Sequence, residues 1–304
     1  MSEADPLLDW AADVVGVQQF DAVESLAGGS ASRVLRLGAT TDAGAVEVVA
    51  KQLRTGLPAT DEDLVAREAS VLDALRPLDL PVPETLACDP RGICTGRPAM
   101  LMSAMPGALL QGPDAVRAAI PEYVRALLAF QRRARDLVAG RRFAPWFDSE
   151  DPEPRSGTAR PDLWERARAV VERFPRPVAD GFIHRDPHPA NMLFEDGRLS
   201  ALLDWPNAGR GPRGVDLSRM ALNLACLLDV AATTELRERW ERASGAHHDP
   251  LLDVYVLLEA DPPMGDGHAT WDALGVPVDR DTLVERLDAF LEDALRRMTV
   301  RRLK

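Results

Sequence analysis

In the first third of the chain, apolar residues fall in short runs bounded by small and turn-forming residues, which is the pattern of strands. Val46, Val48, Val49 and Ala50 make one such run, a buried strand that ends on Lys51. Upstream, Gly28, Gly29, Ser30 and Ser32 form a small-residue turn that enters another strand through residue 37. Over residues 61–75 the spacing becomes helical, with apolar side chains at 64, 65, 69, 71, 72 and 75 and acidic residues leading in. Leu80-Pro81-Val82-Pro83 then breaks the chain. Residues 82–88 and 98–102 read as paired strands about an Asp89-Pro90-Arg91-Gly92 turn, and residues 103–107 as a linker.

Farther on, helical spacing or capping dominates, over residues 114–138, 161–174, 216–228, 234–244, 249–258 and 279–298. Residues 148–161, with three prolines and little apolar content, predict an exposed loop. One island of strand pattern interrupts the helices: Phe182-Ile183, then Met192-Leu193-Phe194, then residues 199–203. Between the last two, Glu195-Asp196-Gly197-Arg198 predicts a hairpin turn with Gly197 at positive φ. No internal repeat is present.

That island carries the chemistry. It holds His184-Arg185-Asp186-Pro187-His188-Pro189-Ala190-Asn191, and Asp204 follows its last strand. Moving a phosphoryl group from a nucleotide to a hydroxyl needs a carboxylate that orients the hydroxyl and accepts its proton, the role expected of Asp186. Magnesium is a hard cation that takes oxygen ligands, which Asn191 and Asp204 can supply from one end of the hairpin. His184 is expected to brace the loop, and His188 stays open between support and a direct role. Lys51 is a separate signal: only Lys51 and Lys304 are lysines among 36 basic residues. A compact ammonium on a phosphate cannot be exchanged for a guanidinium without changing the geometry. Lys51 is therefore expected on the phosphates, with Glu68 of the following helix paired to it. Gly28, Gly29, Ser30 and Ser32 are candidates to cradle phosphates with amides and hydroxyls. Met102, Ser103, Ala104 and Met105 are candidates, by position, to hold the base of the nucleotide.

Gly28-Gly29-Ser30, Val49-Ala50-Lys51, Arg67-Glu68, Val82-Pro83, the 184–191 stretch and Asp204-Trp205 through Asp216-Leu217 fall in a telling order. It is the order seen in the aminoglycoside phosphotransferase family of small-molecule kinases, which most of the chain resembles. The resemblance implies an α+β, bilobal, protein-kinase-like fold. A small antiparallel-sheet lobe with one main helix, residues 1–105, would bind the nucleotide and end in the hinge. A larger, mainly helical lobe, residues 106–304, would carry catalysis and the acceptor. The resemblance also implies ATP (or GTP) with Mg2+, and acidic substrate contacts from the last helices. Arg185 stands where many relatives have Gly, Pro187 where they have Leu or Phe, and Ala129-Phe130-Gln131 replaces a frequent Leu-His; none of these removes a catalytic group. Protein kinase activity is disfavoured, because the eleven residues between Asp204 and Asp216 contain no Ala-Pro-Glu and no Ser, Thr or Tyr. Asp216 itself reads as a helix N-cap.

Composition narrows the partners. At 304 residues, 46% hydrophobic and 28% charged, the chain can bury a substantial core and divide into two lobes. It has no long apolar run, and its acidic start lacks the form of a secretory signal, so a cytoplasmic chain without a membrane partner is expected. Cys88, Cys94 and Cys226 make no even framework and are expected as buried, reduced thiols. A net charge of −12 without a basic stripe disfavours nucleic acid. From residue 243 through 279 there is no Lys or Arg, while Asp249, Asp253, Glu259, Asp261, Asp266, Asp272 and Asp279 occur. Facing the cleft, such a segment would draw an amine-bearing substrate, with Glu259 and Asp261 as contacts; facing solvent, it is an ordinary charged surface. His247, His248 and His268 lack metal-binding spacing. The expected function is phosphoryl transfer to a hydroxyl of a small molecule, an aminoglycoside-like antibiotic or other amine-bearing compound. Choline, homoserine, sugars, macrolides and peptide antibiotics are alternative acceptors. A non-catalytic nucleotide-binding regulator is the alternative class, and the joint presence of Lys51, Glu68, Asp186, Asn191 and Asp204 argues against it.

Overall fold

Alternation in the amino-terminal runs builds one antiparallel sheet from β1 (Ala22–Leu26), β2 (Ser32–Thr41), β3 (Gly44–Leu53), β4 (Thr85–Asp89) and β5 (Ala99–Ser103), in the order β1-β2-β3-β5-β4. The computed structural model describes residues 5–26, 32–55, 63–144, 158–174, 177–259 and 269–302. Side chains alternate across a strand, and here the two faces have different covers. Val48 and Ala50 of β3, Leu35 and Leu37 of β2, and Ala99 and Leu101 of β5 pack with Leu7 and Ala11 of α1 (Pro6–Val15). This first helix, capped by the Asp5 carboxylate on the Leu7 amide, was not expected from the sequence pattern. Leu53, Met100 and Met102 instead join Val65, Ala69 and Leu72 of α2 (Leu64–Leu75). Lys51 lies between Val34 and Met100 in register, one residue on from Ala50, and so projects to the α2 side. No acidic residue sits in the first turn of α2; Asp63 pairs with Arg67 and does not cap the helix.

The linker after β5 lies along the hairpin of β8 (Met192–Glu195) and β9 (Arg198–Leu202), through reciprocal amide–carbonyl bonds between Ala108 and Phe194. Asp196 and Gly197 take φ of 50° and 73°, the two-residue turn expected there. The single helix expected over 114–138 is two, α3 (Pro113–Ala118) and α4 (Ile120–Arg133), because Pro121 cannot continue a helix and starts a new one. Next come β6 (Arg141–Arg142), α5 (Pro161–Arg173) and β7 (Gly181–Ile183). The chain after Asp204 forms β10 (Gly209–Gly211), which pairs with both β7 and β6. A Cβ on Gly209 would lie 1.7 Å from the Arg141 carbonyl oxygen, so the close approach requires glycine. Among the described residues five helices follow: α6 (Gly214–Leu227), α7 (Val230–Ser244), α8 (Pro250–Glu259), α9 (Ala269–Asp272) and α10 (Arg280–Arg302). α6 is buried along nearly its whole length. Among the described residues no helix is long and apolar enough to cross a membrane.

Candidate active site

Three distant parts of the chain meet at Lys51. Its ammonium donates to Glu68 Oε2 at 2.5 Å and to Asp204 Oδ1 at 2.6 Å. The Lys51 and Glu68 side chains are 12% and 4% exposed, whereas Asp204 keeps 39%, so the open side of the cluster is the Asp204 side. Burial alone would lower the Lys51 pKa, but Asp204 and Glu68 outweigh it and raise it above the usual lysine value. Burial likewise opposes ionisation of Asp204, and Lys51 overrides it, so this carboxyl is held below its ordinary range. Glu68 Oε1 also accepts the Trp205 amide at 3.2 Å, and Arg67 Nε donates to the Pro206 carbonyl at 3.2 Å. Consecutive residues of α2 thus grip the chain just after Asp204, which itself turns through φ 66°.

The loop that carries Asp186 is fixed from beneath. His184 is fully buried; its Nε2–H donates to the Leu203 carbonyl at 2.9 Å, and its Nδ1 accepts the Asp186 amide at 3.2 Å. Those two bonds need a neutral ring, and burial pushes the imidazole down to about 4. Asp216, expected as an N-cap, is instead the third residue of α6. Its oxygens accept the His184 and Arg185 amides, both at 2.9 Å. Burial pushes its carboxyl up to about 7 even with these amides bound. Asn191 Nδ2 donates to the Asp186 carbonyl at 3.1 Å, and its own carbonyl accepts the Leu203 amide at 2.9 Å, which seats Asn191 beside Asp204. The Asp186 carboxylate is 28% exposed, with His188 Nε2 and Arg219 Nε each 4.0 Å away.

As magnesium ligands, Asn191 and Asp204 fit by chemistry. Both offer oxygen, and the bond from Asn191 Nδ2 to the loop leaves the carboxamide oxygen as the other end of that group. Two protein donors suit an ion that keeps waters and phosphate oxygens in its shell. No cluster of three or more His, Cys, Asp or Glu side chains that could hold a metal occurs among the described residues.

The other expected site residues divide. Gly28, Gly29, Ser30 and Asp261 lie outside the described residues. Ser32 is buried opposite Leu53 at the start of β2, its carbonyl bonded to Arg54 Nε. Met102 is buried in β5; the Ser103 amide donates to the Glu84 carbonyl, the Ala104 amide reaches the Glu47 carbonyl at 3.5 Å, and Met105 follows half-buried.

Glu259, expected as an acidic substrate contact, has a wholly buried side chain, with Arg185 Nη2 on Oε1 at 2.7 Å and Arg219 Nη2 on Oε2 at 2.8 Å, so its carboxylate is engaged by two arginines. Other acids of that segment are also engaged. Asp253 is buried against His248, Arg237 and Arg297, and Asp249 and Asp279 bond the amides that open α8 and α10. The segment's missing cations are supplied from elsewhere in the chain. Cys88 and Cys94 are free, as expected, but exposed; Cys226 is free and buried.

A lysine strand, a helix glutamate paired to it and a braced Asp–Asn loop beside a strand-end Asp define a protein-kinase-like fold. The model of the phosphotransferase enzyme family (APH) matches residues 22–255, and the chain belongs to that family. Over 150 residues it is 31% identical to a homoserine kinase of Rhizobium rhizogenes, a match covering 44% of each protein. The chain thus spans less than half the length of the curated relatives it matches. Among solved structures it is similar to the aminoglycoside phosphotransferase APH(4)-Ia, with TM-score 0.64 and 15% identity over 94% of this chain and 98% of that one. A ternary complex of a thermostable APH(4)-Ia mutant with ADP and hygromycin B gives TM-score 0.58 at 16% identity, over the same shares. At such identity the likeness shows the fold alone.

Proposed function

We propose that this protein is an ATP- and Mg2+-dependent kinase that phosphorylates a hydroxyl of a small molecule. The convergence of Lys51, Glu68 and Asp204, from strand, helix and hairpin end, carries this reading. Lys51, oriented by Glu68, contacts the nucleotide phosphates, and Gly28, Gly29 and Ser30 are assigned to the same phosphates by their residue types and their position in the sequence. The segment from Met102 to Met105 holds the base between an amino-terminal lobe, residues 1–105, and a carboxy-terminal lobe, residues 106–304. Asn191 and Asp204 hold magnesium, which when bound offsets negative charge on the phosphates. Asp186 accepts the proton of the acceptor hydroxyl as its oxygen bonds to the γ-phosphorus and the bond to the β-phosphate oxygen breaks, releasing ADP. The neutral ring of His184 and the carboxyl of Asp216 hold the loop during this step. A non-catalytic nucleotide binder would have no use for Asp186 on so braced a loop.

For the acceptor, a hydroxylated metabolite of the homoserine kind is favoured over a polycationic aminoglycoside. The similarity to homoserine kinases supports this, and the two arginines on Glu259 remove one of the candidate contacts that a polycation would need. A panel tests it. ADP formation is followed with magnesium across L-homoserine, choline, sugars, hygromycin B, macrolides and peptide antibiotics, with Asp186→Ala as control. Turnover on homoserine or a related small alcohol is expected. Turnover confined to aminoglycosides would overturn the acceptor assignment, and nucleotide binding without turnover on any alcohol would overturn the kinase reading.

A further inference from the structure

Two arginines flank the base proposed for the reaction, and neither has a part in the chemistry above. Arg185 precedes Asp186 in the loop, and Arg219 projects from α6 one turn beyond Asp216. Both guanidinium groups converge on Glu259, the last residue of α8, one on each carboxylate oxygen. Arg219 Nε stands 4.0 Å from Asp186 Oδ1, just outside hydrogen-bond distance.

We propose that Glu259 is a positioning residue that holds Arg219 off Asp186 and so keeps that carboxylate available to the acceptor hydroxyl; this rests on the kinase reading above. The four groups are two cations and two anions in one cluster, open only at Asp186, and the partition of contacts among them matters. A guanidinium locked on Asp186 would occupy the oxygens that must meet the hydroxyl and would make the carboxylate a poorer proton acceptor. Glu259 engages Arg219 through its other oxygen and prevents this.

Glu259 can do so because it is itself anchored. Arg185 donates to Glu259 and also to the Ala144 carbonyl at 2.8 Å, and its guanidinium carbon lies 4.2 Å over the Phe143 ring. The backbone makes the same point from the other side. Arg185 adopts φ 80°, a conformation that favours glycine and strains a residue with a side chain. Glycine would relieve that strain, yet it could not hold Glu259. The anchoring bonds of the arginine side chain offset the strain and fix the carboxylate between the loop and α6.

An ion pair that served stability alone would show its loss, and any rescue by removal of the second partner, in unfolding and leave kcat of the folded protein unchanged. The positioning role predicts a change in kcat itself: Glu259→Gln should lower it, and removing Arg219 as well should restore it. The full-length chain and its Glu259→Gln, Arg219→Gln and double variants are compared for AMP-PNP affinity by calorimetry and for kcat and KM with the acceptor found in the panel. Glu259→Gln is expected to lower kcat about tenfold with AMP-PNP affinity unchanged, and the double variant to regain most of that loss. A Glu259→Gln kcat equal to wild type, or a double variant no faster than the single one, would overturn the proposal. Should Glu259→Gln not fold, Glu259→Asp, which withdraws the carboxylate by one methylene, is expected to show the same loss and the same rescue. Crystal structures test the idea without any acceptor. In Glu259→Gln, Arg219 is expected within hydrogen-bond distance of Asp186, and an unchanged separation overturns the proposal. A wild-type chain that phosphorylates nothing would count against the kinase reading alone, with the crystallographic outcome still deciding the role of Glu259.

Discussion

Replacing Asp216 by alanine removes the side chain that accepts the His184 and Arg185 amides, in a part of the molecule where both residues are almost fully buried. Each buried amide left without an acceptor costs about 1–3 kcal/mol, so the pair amounts to roughly 2–6 kcal/mol. Against a typical total stability of about 5–15 kcal/mol, that is a large share. Asn keeps one carbonyl oxygen but turns an NH2 toward the second amide, so its cost should fall between wild type and alanine. The pH dependence provides an independent check. Burial raises the Asp216 carboxyl from 3.8 to about 7, so the folded chain retains a proton that the unfolded chain has released. Stability from this group is complete below the unfolded value and is lost as pH rises through about 7. Alanine has no such loss, and the deficit of Asp216→Ala should narrow between about pH 5 and about pH 8. Urea unfolding of wild type, Asp216→Ala and Asp216→Asn at the two pH values measures both effects. Phosphotransfer by the folded fraction of Asp216→Ala should also fall, since the two amides immediately precede Asp186. A deficit under about 1 kcal/mol at both pH values would refute the bracing role, and one that widens toward alkaline pH would contradict the raised carboxyl.

Three further outcomes are expected. His184 is held neutral, and its fall from 6.5 to about 4 corresponds to about 3 kcal/mol of stability at about 1.4 kcal/mol per tenfold change in proton affinity. That stability is complete above the unfolded value and lost as pH falls toward about 4, so acid should cost wild type more urea resistance than His184→Gln; equal losses would contradict it. Glu68→Gln leaves Lys51 a single carboxylate partner and should weaken AMP-PNP binding or kcat about tenfold, measured by calorimetry and ADP release; values matching wild type would remove Glu68 from the site. Gly107→Ala should cost about 2 kcal/mol or more in urea unfolding, because residue 107 sits at φ 95° and a Cβ there would lie 2.3 Å from Ser200 Oγ and 2.7 Å from the Phe194 carbonyl oxygen. An unchanged midpoint would contradict that packing.

The parts of this site that were legible in the sequence are those specified by local pattern. The β8–β9 hairpin follows from Asp196-Gly197 between two apolar runs, and the side of the sheet that bears Lys51 follows from strand alternation. Glu68 was reachable because one strand and one helix place it where Lys51 points. What was not legible depends on partners remote in sequence. The donors to Asp216 are backbone amides 32 and 31 positions away, which leave no residue-type signature, so an acid near a helix start looked like a cap. Glu259 looked open because its own segment lacks basic residues, yet Arg185 and Arg219 reach it from 74 and 40 positions upstream. Pro121 was a readable break between α3 and α4, overridden by the apolar spacing around it.

The most direct test of the kinase reading follows the phosphate itself. Wild type and Asp186→Ala are incubated with γ-labelled ATP, magnesium and L-homoserine, with the rest of the acceptor panel in parallel, and label is traced to the acceptor hydroxyl after AMP-PNP binding has been confirmed for both. The account predicts labelled acceptor from wild type and a loss of about a hundredfold or more in Asp186→Ala, with nucleotide affinity retained. Equal labelling by the two proteins, or a wild type that binds AMP-PNP yet labels no alcohol, would contradict it.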